Sequence, residues 1–140
     1  MSRLSFLDEK RWALFLLVLW MSVIFVGSSF PGASVRYEMS LPLYLERKGA
    51  HVFEFFVLTF LSWNVFRTFF PMERRGFLLR AAVAFSLLAA FLDETHQLFV
   101  PFREGKISDV GIDLIGISVF VLGFLFRSWY HDVRMKRRDR

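Results

Sequence analysis

The chain has 140 residues, is 55% apolar and 19% aromatic with 19 Phe, and carries a formal net charge of +5. One domain is the most that length allows, and a soluble fold of this size has no interior large enough for so much apolar surface. The lack of Cys excludes disulfides, thiol nucleophiles and cysteine metal centres, and basic ends on so apolar a chain point to topology signals and lipid headgroups rather than nucleic acid, for which no binding module is visible.

Four apolar runs follow one another, so the expected fold is all-α: a polytopic four-transmembrane-helix bundle forming one integral membrane domain over 1–140. The first span is Trp12–Phe30, nineteen residues without a charge, enough to cross a hydrocarbon core of roughly 30 Å. Phe30-Pro31-Gly32 closes it as a helix stop. Ser28, Ser29 and Ala33 would offer small residues to a signal peptidase. The apolar run exceeds an ordinary signal-peptide core, however, and no clear A-x-A site follows, so an uncleaved span is expected. The second span covers about 51–70 and ends before Pro71. The third covers about 77–99, and the fourth about 110–129 with only Asp113 and Arg127 charged within it. Residues 130–140 read as a basic cytoplasmic tail, either resting on anionic lipid or simply fixing topology.

Counting Lys and Arg beside the spans gives the direction. Thirteen of the 18 fall on one side, at the N-terminus (Arg3, Lys10, Arg11), the second turn (Arg67 to Arg80) and the C-terminal segment (Arg127 to Arg140). The other side holds Arg36, Arg47, Lys48, Arg103 and Lys106. A multi-pass protein of the cell membrane with both termini cytoplasmic is the expectation.

That topology sorts the remaining ionisable residues. Lys48, His51 and Glu54 fall at the outer end of the second span, and Asp93, Glu94, His96 and Gln97 at the outer end of the third. Arg103, Asp109 and Asp113 fall in the outer loop and at the start of the fourth. His51 and Glu54 share a face at i, i+3; Asp93, His96 and Gln97 share one at i, i+3, i+4; Asp109 and Asp113 are i, i+4. A stripe of Ala82, Ser86 and Ala89 leads up to Asp93, while Gly116 and Gly123 continue the face of Asp113. Small-residue stripes let membrane helices approach closely, so helices three and four are expected to pack tightly below and open into a polar cluster above. Asp113, about a turn inside its span, is too short to reach water and needs a partner from Lys48, His51 or Arg103. The bland alternative is a charge network that merely clamps three helices.

Three segments resemble one family. Glu46-Arg47-Lys48-Gly49-Ala50-His51-Val52-Phe53-Glu54 is similar to the Lys-x-x-His segment opening the second helix of VanZ-like membrane proteins. Asp93-Glu94-Thr95-His96-Gln97-Leu98-Phe99-Val100-Pro101-Phe102-Arg103 resembles their D-E-x-x-Q-x-F-x-P-x-R signature, and Ser108 to Gly116 their D-V-x-x-N/D-x-x-G segment. Carried over by position, the family's characteristic residues are Lys48, His51, Glu54, Asp93, Glu94, Gln97, Arg103, Asp109, Asp113 and Gly116. The chain departs from the pattern at Phe102, where Gly is common, at Glu104, where a small polar residue is common, and at Phe55, an aromatic without a phenolic hydroxyl. The resemblance implies an association with the cell envelope and with resistance to glycopeptide antibiotics such as teicoplanin.

Two functions compete. The favoured expectation is a non-catalytic site that recognises a cell-envelope ligand (a peptidoglycan precursor, a lipid-linked glycan or a glycopeptide) through Lys48, His51, Glu54, Asp93, Glu94, Gln97, Arg103, Asp109 and Asp113. The alternative is a membrane-embedded hydrolase or transferase acting on a lipid-linked or phosphorylated substrate, with His51, Glu54, Asp93, Glu94 and His96 as catalytic candidates and Arg103 with Lys48 holding an anion. Helix spacing permits a divalent ion on His51, Glu54, Asp93, His96 and Asp109, but no dedicated metal motif is present, so no metal or cofactor is expected. Membrane lipids are the expected partners, with a homo-oligomer open. A transporter fits least, because the ionisable groups stop at one end. Among the minor readings, Ser108 is expected to cap helix four, Asn64 to bond between helices, and Trp12, Trp20, Trp63 and Trp129 to serve as belt or packing residues.

Overall fold

The computed structural model describes residues 3–31, 41–103 and 105–138; Ala33, Arg36, Glu104 and Arg140 lie outside them. Four helices follow in order: α1 (Arg3–Ser29), α2 (Leu41–Phe69), α3 (Arg75–Gln97) and α4 (Ile107–Arg138). Each contains a stretch long and apolar enough to cross a membrane: Glu9–Ser29, Leu45–Phe69, Arg75–Gln97 and Ile107–Lys136. The 25 residues of the second stretch rise about 38 Å at 1.5 Å each, more than the hydrocarbon core requires.

Each of the four helices contains one of the four apolar runs of the sequence, and the helices outrun those runs. α2 begins ten residues before His51, because Glu46, Arg47 and Lys48 are good helix formers that extend a helix out of the apolar zone without breaking it. α4 likewise continues through the basic segment to Arg138. α3 stops at Gln97, two residues short of the expected end, and residues 98–102 turn ahead of α4. Ser108 does not cap α4: the helix starts at Ile107, and the Ser108 hydroxyl donates to Asp109 Oδ1 at 3.3 Å.

α2 is the hub, packing against α1, α3 and α4, whereas α1 and α4 do not meet among the described residues. The buried core joins Ala13, Leu17 and Ile24 of α1 to Phe55, Leu58, Leu61 and Val65 of α2, Ala90 of α3, and Val110 and Ile117 of α4. Only 22–33% of the most apolar window of each span is buried within the protein. The outward Phe15, Phe25, Leu88, Phe91, Leu122 and Phe126 are all exposed, as expected where lipid rather than water is the solvent.

The close approach expected between α3 and α4 occurs instead at α2. A Cβ on Gly116 would run into the Val52 carbonyl oxygen and come within 3.0 Å of Phe56 N, so α4 crosses α2 backbone to backbone at that point. Gly123 faces open space and mediates nothing. Of the α3 stripe, Ala82 and Ser86 are fully buried while Ala89 is only half-buried and its neighbour Ala90 is the buried one; Ser86 meets α2, its Oγ 3.0 Å from Thr59 Oγ1, itself donating to Phe55 O. Asn64 is satisfied within its own helix, its Oδ1 accepting from Arg67 Nε at 2.9 Å, and not between helices. Phe55 is wholly buried, a packing residue.

Candidate functional site

Because the helices alternate in direction, the C-terminal ends of α1 and α3 and the N-terminal ends of α2 and α4 share one end of the bundle. Four of the expected site residues meet there in two ion pairs. Lys48 Nζ of α2 lies 2.6 Å from Asp109 Oδ1 of α4, both partly exposed. One turn deeper, His51 Nδ1 lies 2.9 Å from Asp113 Oδ1, with 16% and 0% of these side chains exposed. Of its three candidate partners, Asp113 thus takes His51. Its second oxygen, Oδ2, is buried and has no hydrogen-bond partner among the described residues.

α3 supplies the acids. Asp93, Glu94 and Gln97 are all buried. The Gln97 amide donates to Asp93 Oδ2 at 2.8 Å and, more weakly, to Glu94 Oε1 at 3.4 Å. Glu94 Oε2 accepts the backbone N–H of Lys106 at 2.8 Å, which ties the start of α4 to the end of α3. That contact needs Gly105, where a Cβ would strike the Glu94 carbonyl. One donor atom from each of His51, Asp93 and Glu94 lies within 4.8 Å of the others, close enough for a single cation to bridge all three. Glu54 of α2 points toward α1: its Oε1 is 3.9 Å from where a Cβ on Gly27 would stand. Trp20 Nε1 donates to the Glu54 carbonyl at 3.0 Å.

Two residues have different surroundings from those expected. Arg103 donates from Nε to Phe30 O (2.9 Å), from Nη2 to Gly27 O (3.0 Å) and from Nη1 to Gln97 Oε1 (3.1 Å). Its guanidinium therefore caps the orphan carbonyls at the end of α1 and steadies Gln97. Burial, then neighbouring Arg47, pulls its pKa below the ordinary arginine value against the opposing pull of Asp93, Glu94 and Glu54, and a guanidinium stays charged regardless. His96 turns to α1, its ring 4.6 Å from that of Phe25 and its Nε2 3.0 Å from Ser29 Oγ. The Ser29 hydroxyl already donates to Phe25 O at 2.6 Å. Having one hydrogen, it must accept from His96, which assigns the Nε2–H form to that contact.

The loop after α3 carries Phe99 (81% exposed) and Phe102, and Ile107 stands exposed beside them at the start of α4. Phe102 has φ 59°, the left-handed region that only glycine enters freely. Glycine is the residue expected here from the resemblance, and Phe102 leaves the backbone strained instead.

A multi-pass helical membrane protein with an acid-rich cluster sealed into one end of its bundle is the class these features define. The chain belongs to the VanZ/LLP1 family, which it matches over residues 13–128. It is 41% identical over 83 residues to the "Uncharacterized membrane protein YwnJ" of Bacillus subtilis (strain 168), an overlap covering 59% of this chain and 51% of that relative. The chain therefore spans about half the length of the curated relative it matches. No solved structure matches.

Proposed function

We propose that the cluster is a recognition site for a cell-envelope ligand presented at the outer leaflet, with a role in envelope maintenance or glycopeptide resistance. The observation supporting this reading is the convergence of α2, α3, α4 and the α3–α4 loop on one group of titratable side chains, held by Gln97, Arg103 and the Lys106 amide. Buried acids are costly to keep in a membrane protein and mark function by default. The excess of Lys and Arg at the opposite end of the bundle faces this end outward.

Its chemistry narrows the ligand. Lys48 is paired with Asp109, and Arg103 is held by Phe30 O, Gly27 O and Gln97 Oε1 at the edge of the cluster, so the groups at its centre are carboxylates and an imidazole. These suit the hydroxyls, amides and amines of a glycan or peptide better than a bare phosphate. The exposed Phe99, Phe102 and Ile107 would seat the loop in the headgroup layer, where a lipid-linked precursor carries its polar head. The test is titration of the protein in nanodiscs with a polyprenyl-diphosphate disaccharide-peptide and, separately, with teicoplanin. Asp93→Asn and Glu94→Gln should each weaken binding of the recognised ligand at least ~10-fold, about 1.4 kcal/mol, with helical content kept. Unchanged affinity would remove the reading.

One observation favours a second reading. His51 is oriented by a buried carboxylate, the arrangement that holds an imidazole for acid–base work, and it fits a hydrolase or transferase of polyprenyl-linked substrates. Turnover of a polyprenyl phosphate that is lost in His51→Gln would favour this reading over recognition alone.

A further inference from the structure

We infer that His51, Asp93 and Glu94 form a binding site for one divalent transition-metal ion, of the Mn2+ or Zn2+ type. The inference deepens the recognition reading by naming what would lie at the centre of the same cluster.

Three observations converge. The first is reach: one donor atom from each of the three residues lies within 4.8 Å of the other two, so a closure of a few tenths of an ångström brings all three within the roughly 4.4 Å that opposed bonds of about 2.2 Å to one ion allow. The second is the surrounding shell. Metal-binding imidazoles nearly always give their other nitrogen to a carboxylate, and ligating carboxylates are themselves hydrogen-bonded. Here Asp113 Oδ1 takes His51 Nδ1 at 2.9 Å, so Nε2 is the nitrogen that remains to bind an ion. Gln97 holds Asp93 Oδ2 at 2.8 Å, and the Lys106 amide holds Glu94 Oε2 at 2.8 Å, leaving Asp93 Oδ1 and Glu94 Oε1 as the lone pairs to offer. The helices thus fix one contact of each of the three residues and, among the described residues, leave a second donor atom of each with no hydrogen bond or only the weak 3.4 Å one at Glu94 Oε1.

The third is charge. Asp113 is fully buried, its carboxylate is turned onto His51, and its Oδ2 has no partner among the described residues. Asp93, Glu94 and Asp113 lie around His51 near the end of the bundle, while Lys48 is paired with Asp109 and three of the five N–H groups of Arg103 go to two carbonyls and an amide oxygen. Buried anions require compensation, and a divalent cation between His51, Asp93 and Glu94 supplies two positive charges where the carboxylates are concentrated. One imidazole with two carboxylates suits Mn2+, Fe2+ or Zn2+ better than Ca2+. Three protein donors leave coordination positions open. Through them, resting on the recognition reading, the ion would grasp a hydroxyl or phosphate oxygen of the envelope ligand and add an affinity for anions at a place lined by carboxylates.

The experiment uses the full chain in detergent, stripped with chelator and titrated with Mn2+ alone. One ion per chain should bind, and pulsed EPR of protein labelled with 15N-histidine should show coupling of the ion to a nitrogen. His51→Ala, Asp93→Asn and Glu94→Gln should each weaken Mn2+ binding at least ~100-fold, and Asp113→Asn, which removes only the orienting carboxylate, by roughly 10–100-fold. His131→Ala, toward the other end of α4, should leave binding unchanged. Lack of stoichiometric binding, lack of nitrogen coupling, or undiminished affinity in His51→Ala overturns the inference; the EPR measurement is made on the unaltered protein, so it stands even if a variant fails to fold. Envelope-ligand binding that persists in chelator removes the metal and spares the recognition reading. Metal binding without any envelope ligand does the reverse.

Discussion

Replacing Gly116 by Ala puts one carbon where α4 crosses α2, and the structure fixes what it meets. The added Cβ would overlap the Val52 carbonyl oxygen and lie 3.0 Å from both Val52 C and Phe56 N. All three are backbone atoms inside a helix, so none can rotate aside. The axes must part by roughly 1 Å, which forfeits a quarter to a half of the dispersion attraction at the crossing. Overpacking of this kind costs about 1–3 kcal/mol, and the rigid neighbours place it toward the upper end. Ala recovers about 1 kcal/mol in helix propensity. The net loss is about 1–2 kcal/mol, a fall of about 3–6 °C in Tm, followed by circular dichroism in detergent. Gly116 stands one turn below Asp113, and Val52 follows His51, so the same separation lengthens the His51–Asp113 contact and couples the packing defect to the site. Gly123→Ala is the control, since nothing lies within 4 Å of its Cβ position, and it should be neutral or gain up to about 1 kcal/mol. Equal tolerance at the two glycines would refute the crossing geometry.

Other perturbations should separate structural from functional residues. Phe102→Gly relieves a left-handed backbone at φ 59° and should raise stability by about 1 kcal/mol, seen as a higher Tm; a lower one would mean the Phe102 ring contributes more than its strain costs. Arg103→Lys should be nearly as damaging as Arg103→Ala, because one ammonium cannot reach Gly27 O, Phe30 O and Gln97 Oε1 together, and hydrogen exchange at the C-terminal end of α3 should speed up in both. The Lys48–Asp109 pair is partly exposed, so a double-mutant cycle should give a coupling below about 1 kcal/mol that shrinks with salt. His51→Ala, by contrast, strands a wholly buried Asp113 and should cost about 3 kcal/mol or more; a cost as small as at Lys48 would show that Asp113 is neutral or hydrated.

The spans were legible because a bilayer demands long uninterrupted apolar runs, and the polar end was legible because alternating helices carry Lys48, His51, Asp93 and Asp109 to one depth. Periodicity gives a face but not the neighbour behind it. Ala82, Ser86 and Gly116 marked buried or close-packed faces, yet Ser86 and Gly116 turn to α2, and nothing in their spacing distinguishes α2 from α3 or α4. Arg103 looked like an anion holder because its acceptors, Gly27 O and Phe30 O, are backbone carbonyls with no signature in a sequence. His96 shares a helix with Asp93 yet faces α1, since the i+3 position falls about 60° short of a full turn, on the side of Asp93 away from Glu94 and toward Phe25 and Ser29. Helix ends were missed for a related reason: Glu46 to Lys48 and Arg134 to Arg138 are hydrophilic yet helix-compatible, so the apolar run ends before the helix does.

The convergence of α2 and α4 at the end opposite the arginine-rich turns can be measured directly, because the chain has no Cys of its own. In intact cells, Lys48→Cys combined with Asp109→Cys places two thiols where side chains now meet at 2.6 Å. Disulfide formation should be rapid under mild oxidant and blocked by a membrane-impermeant maleimide added outside, with no cross-link when Lys48→Cys is combined with Arg127→Cys near the far end of α4. A pair that fails to cross-link, or that only a permeant reagent blocks, would contradict the shared outer cluster.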